Sequence, residues 1–71
     1  MIRFRTRNSV YEIDPAQRKF RNVKEDWQDY YWYPSPPTVG ESFLLWKDED
    51  RKMMTTKVEE ILLEEEIIFV F

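Results

Sequence analysis

Asp48 and Asp50 stand two residues apart in the run Asp48-Glu49-Asp50-Arg51, which is how a loop that wraps a hard cation begins. The run lacks the glycine and the distal glutamate of a calcium loop, so a solvated hairpin turn is expected there and no metal. Glu25 and Asp29 are spaced for acid/base work, but in a chain with fourteen acids such pairs arise from composition alone. The sequence contains no His and no Cys. That removes disulfides, zinc sites, thiol and imidazole nucleophiles and the usual general base. The residues therefore predict a protein that is not an enzyme and carries no cofactor.

Contact chemistry is better represented. Five of the twelve aromatic residues, Trp27, Tyr30, Tyr31, Trp32 and Tyr33, fall within seven positions, directly ahead of Pro34-Ser35-Pro36-Pro37. A small domain cannot bury all five. Two or three rings are expected to plug one end of the fold, and the rest to serve as anchors for a protein partner, a task for which Trp and Tyr are favoured. In an extended segment Trp32 points opposite to Tyr31 and Tyr33, so it faces out if that pair packs down. Rings of this kind also stack on nucleic-acid bases, and Arg3, Arg5 and Arg7, alternating along one face of the first segment, are the candidate phosphate contacts. An overall excess of acids, with Glu25, Asp26 and Asp29 in or beside the loop, opposes that use.

The elements that must hold these residues read mainly as strands. Ile2, Phe4 and Thr6 alternate with Arg3, Arg5 and Arg7 at the period of a half-buried strand. Asn8-Ser9 breaks the phase as either a tight turn or a bulge, and Tyr11 and Ile13 resume it facing inward. Asp14-Pro15-Ala16-Gln17 carries a type I turn signature, with Lys19–Val23 as the returning strand. The aromatic and Pro-rich stretch is one long loop over about residues 24–40. Ser42–Lys47 is a strand, Asp48–Arg51 its turn, and the hairpin returns through Lys52–Thr56.

Residues 55–66 are ambiguous. Thr56 and Glu59 fit a capping box, and Val58, Ile61 and Leu62 have helical spacing, while the β-branched Thr55-Thr56-Lys57-Val58 favours a strand that leads through a Glu-rich turn into a final strand, Ile67–Phe71. The expectation is a five-stranded antiparallel open barrel or roll with its first and last strands adjacent. The alternative is an α+β fold with a short helix at about 55–66.

Seventy-one residues form one domain spanning 1–71, since two cores would leave each half near the ~40 residues below which chains need staples. A 42% hydrophobic share is too high for a disordered chain. Seven basic residues stand against Glu12 and Asp14 in residues 1–24, and four against twelve acids in residues 25–71, so adjacency of the two ends predicts cross-strand charge pairing. The charged start and the absence of a long apolar run predict a cytoplasmic protein with no membrane segment. So small a core makes either a monomer or a homodimer joined through edge strands a reasonable state.

Phe4-x-Thr6-x-Asn8-Ser9-x-Tyr11-Glu12 and Thr55-Thr56-Lys57-Val58-Glu59-Glu60-Ile61 resemble short segments of small β-rich proteins encoded by tailed bacteriophages and prophages. The resemblance implies a compact β-rich fold, residence in a bacterial host cell and a habit of binding host or defence proteins. The aromatic loop and Glu64-Glu65-Glu66, where a glycine would be expected, depart from that pattern. Together the residues and the resemblance predict a protein-binding module that inhibits a host or defence protein through Trp27, Tyr30, Tyr31, Trp32 and Tyr33. The second reading is a single-stranded nucleic-acid or nucleotide binder using Arg3, Arg5 and Arg7.

Overall fold

A computed structural model describes residues 1–64. The alternating front segment forms β1 (Ile2–Thr6) and turns all three of its uncharged side chains, Ile2, Phe4 and Thr6, into the interior. The phase break is a tight turn centred on Arg7-Asn8: the Thr6 N–H donates to the Ser9 carbonyl at 2.8 Å, and β2 (Val10–Asp14) returns antiparallel with Tyr11 opposite Phe4 and Ile13 opposite Ile2. The next hairpin turns at Pro15–Arg18, where the Asp14 carboxylate accepts from the Gln17 N–H at 3.4 Å, and leads into β3 (Lys19–Asn22). A two-residue β4 (Gln28–Asp29), β5 (Ser42–Trp46) and a long β6 (Lys52–Glu64) complete the described chain. The strands form one antiparallel sheet in the order β4-β3-β2-β1-β6-β5.

The mainly-β expectation holds, with six strands among the described residues where five were expected, and residues 55–64 of the alternative helix at about 55–66 belong to β6. Its burial pattern explains the ambiguity. Thr55 and Val58 are buried and Ile61 packs partly against the core, a spacing of three where a regular strand would give two. Each interval carries an extra residue. Opposite β1, Arg3 and Phe4 pair with Leu63 and Ile61, and Arg5 and Thr6 with Glu60 and Val58, so Leu62 and Glu59 are bulged. A third irregularity lies between the Ser42–Lys57 and Leu44–Met54 pairs. A bulge adds one residue and bends its strand, so β6 keeps one inward face while its first half pairs β5 and its second half pairs β1. The final strand expected at Ile67–Phe71 lies outside the described residues; within them β6 lies beside β1.

The core is Ile2, Phe4, Ile13, Phe20, Tyr30, Phe43, Leu45 and Val58. Ring contacts run through it in a continuous chain: Phe20 to Tyr30 (6.4 Å between centroids), Tyr30 to Tyr33 (5.7 Å), Tyr33 to Phe43 (5.6 Å), Phe43 to Phe4 (5.2 Å) and Phe4 to Tyr11 (5.4 Å). Tilted and edge arrangements of this kind add about 0.5–1.5 kcal/mol per pair beyond simple burial. Gly40, the sole glycine, sits at φ 91° ahead of β5, where a Cβ would meet nothing within 4 Å. The backbone conformation, not space, calls for glycine there. Its N–H donates to the Val58 carbonyl at 2.8 Å, and the Val58 N–H to Glu41 at 2.8 Å, which ties the end of the loop to the middle of β6.

At the β5–β6 irregularity the ladder bond is made by a side chain. The Phe43 N–H donates to the Thr55 hydroxyl oxygen at 3.1 Å, and that hydroxyl donates to the Thr56 carbonyl at 2.7 Å. Thr55→Val keeps the shape and removes the acceptor, leaving a buried N–H without a partner, at a cost of about 1–3 kcal/mol. Thr55→Ser keeps the bond and should retain most of the stability. Urea unfolding of the two variants checks this, and a valine variant as stable as the parent would show that the hydroxyl is not needed.

Candidate binding surface

Beyond β4 the backbone of the aromatic segment changes partners. The Tyr30 N–H donates to the Arg18 carbonyl at 3.1 Å, still on the β3 side, whereas the Tyr31 N–H donates to Trp46 at 2.8 Å and the Trp46 N–H to Trp32 at 2.8 Å. One short segment thus joins both ends of the sheet and curls it into a partly closed barrel. Arg18 fixes it from two directions. Its backbone sits at φ 53°, uncommon for a residue with a side chain, and its guanidinium donates to the Tyr31 carbonyl. Extending the Trp32–Trp46 register would set Pro34 opposite Leu44. Proline has no N–H to give, so the seam ends there.

This geometry sorts the five rings. Tyr30 is buried and Tyr33 packs against the core. Burial raises the Tyr30 pKa above its ordinary value, with Tyr33 and Asp14 adding to the effect and Arg18 opposing it. Trp27 is half-buried under the Arg21 guanidinium, 4.5 Å from its ring centroid. Tyr31 and Trp32 are exposed, at 47% and 48%. The pair flanking Trp32 therefore splits, Tyr33 inward and Tyr31 outward.

Trp32 does not stand alone. It is bridged to Trp46, which lies on the outer side of β5 with Leu44, while Phe43 and Leu45 face the core. Across the ladder Leu44 is opposite Met54, which is 62% exposed, and Trp46 is opposite Lys52, whose ammonium lies 5.8 Å from the Trp46 ring centroid. Residues opposite one another across an antiparallel ladder share a face. Trp32, Trp46, Leu44 and Met54 therefore form one apolar strip on the outer face, drawn from three chain segments. Sequence reasoning singled out Trp32 and missed the other three. The signal was available: a turn at Asp48–Arg51 makes Leu44 face Met54 and leaves both opposite in phase to Phe43 and Leu45.

The arginine trio goes elsewhere. Glu12 is only 3% exposed, and its carboxylate accepts from Arg3 Nε and Nη2 at 2.9 and 2.7 Å and from Arg21 Nε at 2.8 Å. Arg5 pairs with Glu59 at 2.7 Å and lies 3.8 Å from Glu60. The Arg5 pairs are the cross-strand pairs expected between the basic front and the acidic back, whereas the Glu12 pairs lie within the front. Arg7 is exposed and makes no ion pair among the described residues. Thus two of the three candidate phosphate contacts are engaged by carboxylates.

A shallow depression of about 380 Å³ lies beside Tyr31, lined by Arg18, Asp29, Tyr30, Lys47, Asp48 and Glu49 as well. Its walls mix both signs of charge, and Asp29 is paired with Lys19 at 2.8 Å. Asp48 is used by its own turn: it accepts from the Asp50 and Arg51 N–H groups, both at 2.9 Å, and from Arg51 Nε at 2.6 Å, and these donors hold its pKa below the ordinary value. Among the described residues no three Asp or Glu side chains converge on a metal position. No helix there is long and apolar enough to cross a membrane. Comparison with protein-family models, curated proteins and solved structures finds no match to this chain.

Glu12 supplies a directional test of the outer face. Burial by itself would push its carboxyl up, but the hydrogen bonds and charges of Arg3 and Arg21 outweigh burial and hold it below the usual range. Removing Glu12 leaves two arginines that are 43% and 31% exposed and can be rehydrated, so Glu12→Gln should cost only about 1–2 kcal/mol. Replacing both arginines with Met strands a buried carboxylate and should cost about 3 kcal/mol or more. A depressed carboxyl pKa contributes stability that is complete above the unfolded value of ~4.3 and is lost as pH falls through the folded value. Melting curves from neutral to acid pH should accordingly show parent and Glu12→Gln converging below about pH 4. A constant gap would remove Glu12 as the titrating group.

Proposed function

We propose that this chain is a non-catalytic protein-binding module whose contact surface is the outer strip Trp32, Trp46, Leu44 and Met54, with Tyr31 at its border. One observation carries the reading: two large side chains, Trp32 and Met54, are about half or more exposed on one apolar face of a domain whose core takes up Tyr30 and Tyr33. Exposed apolar groups that are contiguous, rather than scattered, are typical of contact sites, and Trp is the residue whose truncation most often costs binding. The same backbone bonds that close the barrel hold Trp32 in place, so little freedom is lost when it docks. The segment resemblance adds the class of partner: a host or defence protein, blocked by a phage or mobile-element accessory protein in a bacterial cytoplasm.

The nucleic-acid reading is weaker for a specific reason. Arg3 and Arg5 would have to give up Glu12, Glu59 and Glu60 before meeting phosphate, and the strip lies on strands other than theirs.

Trp32→Ala separates anchor from core. Retained partners should be lost from a bacterial-lysate pull-down, with affinity for an identified partner falling by at least about 2 kcal/mol, or ~30-fold. Fold stability should stay within about 0.5 kcal/mol. A large fall in melting temperature with affinity per folded molecule unchanged would place Trp32 in the fold and end the anchor assignment.

A further inference from the structure

The cations of the described chain divide by whether a carboxylate answers them. Arg3, Arg5, Lys19, Arg21 and Arg51 are ion-paired. The other six, Arg7, Arg18, Lys24, Lys47, Lys52 and Lys57, form no ion pair among the described residues, and of these Lys52 and Lys57 are the exposed pair on β6. Their positions are not arbitrary. On the outer face of the β5–β6 ribbon the register sets Lys57 opposite Ser42, Met54 opposite Leu44 and Lys52 opposite Trp46. The lysines hold the two outer rows with Leu44 and Met54 in the row between them and Trp46 beside Lys52, and no acid stands in any of the three rows.

We infer that the strip receives an extended acidic segment of another protein, with one carboxylate on Lys52, one on Lys57 and an apolar side chain between them on Trp46, Leu44 and Met54. The inference rests on the protein-binding reading and names the partner's chemistry. The lysines are five residues apart on β6, but one of these is the extra residue at the irregularity, and along β5 the same rows run from Ser42 to Trp46, four residues at ~3.3 Å each, or about 13 Å. An extended segment turns alternate side chains to one side. The matching ligand therefore reads acid, any residue, apolar, any residue, acid. Lys52 already lies over the Trp46 ring, so an arriving carboxylate meets an ammonium placed at the edge of the apolar strip, where partly excluded water strengthens the attraction. Charge complementarity of this kind acts chiefly on partner choice.

Selection of random displayed peptides against the intact protein tests both layers. Enrichment of the acid-x-apolar-x-acid pattern, with binding of the selected peptides weakened about tenfold or more by Lys52→Glu with Lys57→Glu, is the expected result. The reversed variant should itself select Lys or Arg at the outer two positions. Selected peptides that need Trp32 but show no acidic preference would overturn the acidic partner and leave the binding reading standing. Failure to select any peptide that loses binding in Trp32→Ala would overturn both. Two direct measurements complete the test. Trp32-dependent self-association in sedimentation would assign the strip to a second copy of the chain, and Trp32-dependent binding of an oligothymidine strand that falls steeply with salt would assign it to nucleic-acid bases. Either result overturns the acidic-peptide proposal.

Discussion

The bends in β6 set the rest of the architecture. One strand must pair β5 with its first half and β1 with its second while Thr55, Val58 and Ile61 all face one interior. A regular strand cannot do this, because every odd step would turn a core residue to water. Extra residues at Glu59, Leu62 and between the Ser42 and Leu44 pairs restore the phase each time. Thr55 covers the backbone donor that one of these irregularities leaves behind. Without that bending the sheet would not curl far enough for the segment after β4 to meet β5.

That meeting governs the aromatic segment. Once the Tyr31 N–H donates to the Trp46 carbonyl and the Trp46 N–H to the Trp32 carbonyl, the neighbouring side chains have little choice of direction. Tyr30 and Tyr33 complete the chain of rings in the core, and Tyr31 and Trp32 remain in solvent. The segment is therefore both a closure of the barrel and a display site. Arg18, with its left-handed backbone and its guanidinium on the Tyr31 carbonyl, holds the two roles together.

The outer surface divides into two parts with different electrostatics. Across β1, β2 and β3 the basic residues are answered by Glu12, Asp29, Glu59 and Glu60, so that region is a charge-paired cover over the core. Across the β5–β6 ribbon the surface is apolar with unanswered lysines at its margins. Exposed ion pairs contribute little stability individually, so the pairing matters more for what it withholds: it engages two of the arginines that would otherwise attract phosphate.

By itself the sequence determined the class of the fold and most of its strands. Alternation at Ile2-Phe4-Thr6 and the turn chemistry at Asn8-Ser9, Asp14-Pro15 and Asp48–Arg51 are local signals, read from neighbours a few residues away. It also determined the absence of His and Cys chemistry, and the crowding of rings at 27–33 that no small core could absorb. Tertiary structure decided what local periodicity could not. Residues 55–62 carry a spacing of three that mimics a helix, and only pairing with two different strands reveals it as a bulged strand. The strip was equally hidden, because Trp32, Trp46, Leu44 and Met54 become neighbours through closure of the barrel and a cross-strand register. The partners of the arginines, too, are set by which strands lie side by side. Contacts between distant segments depend on topology, and topology is not written in any short window of the chain.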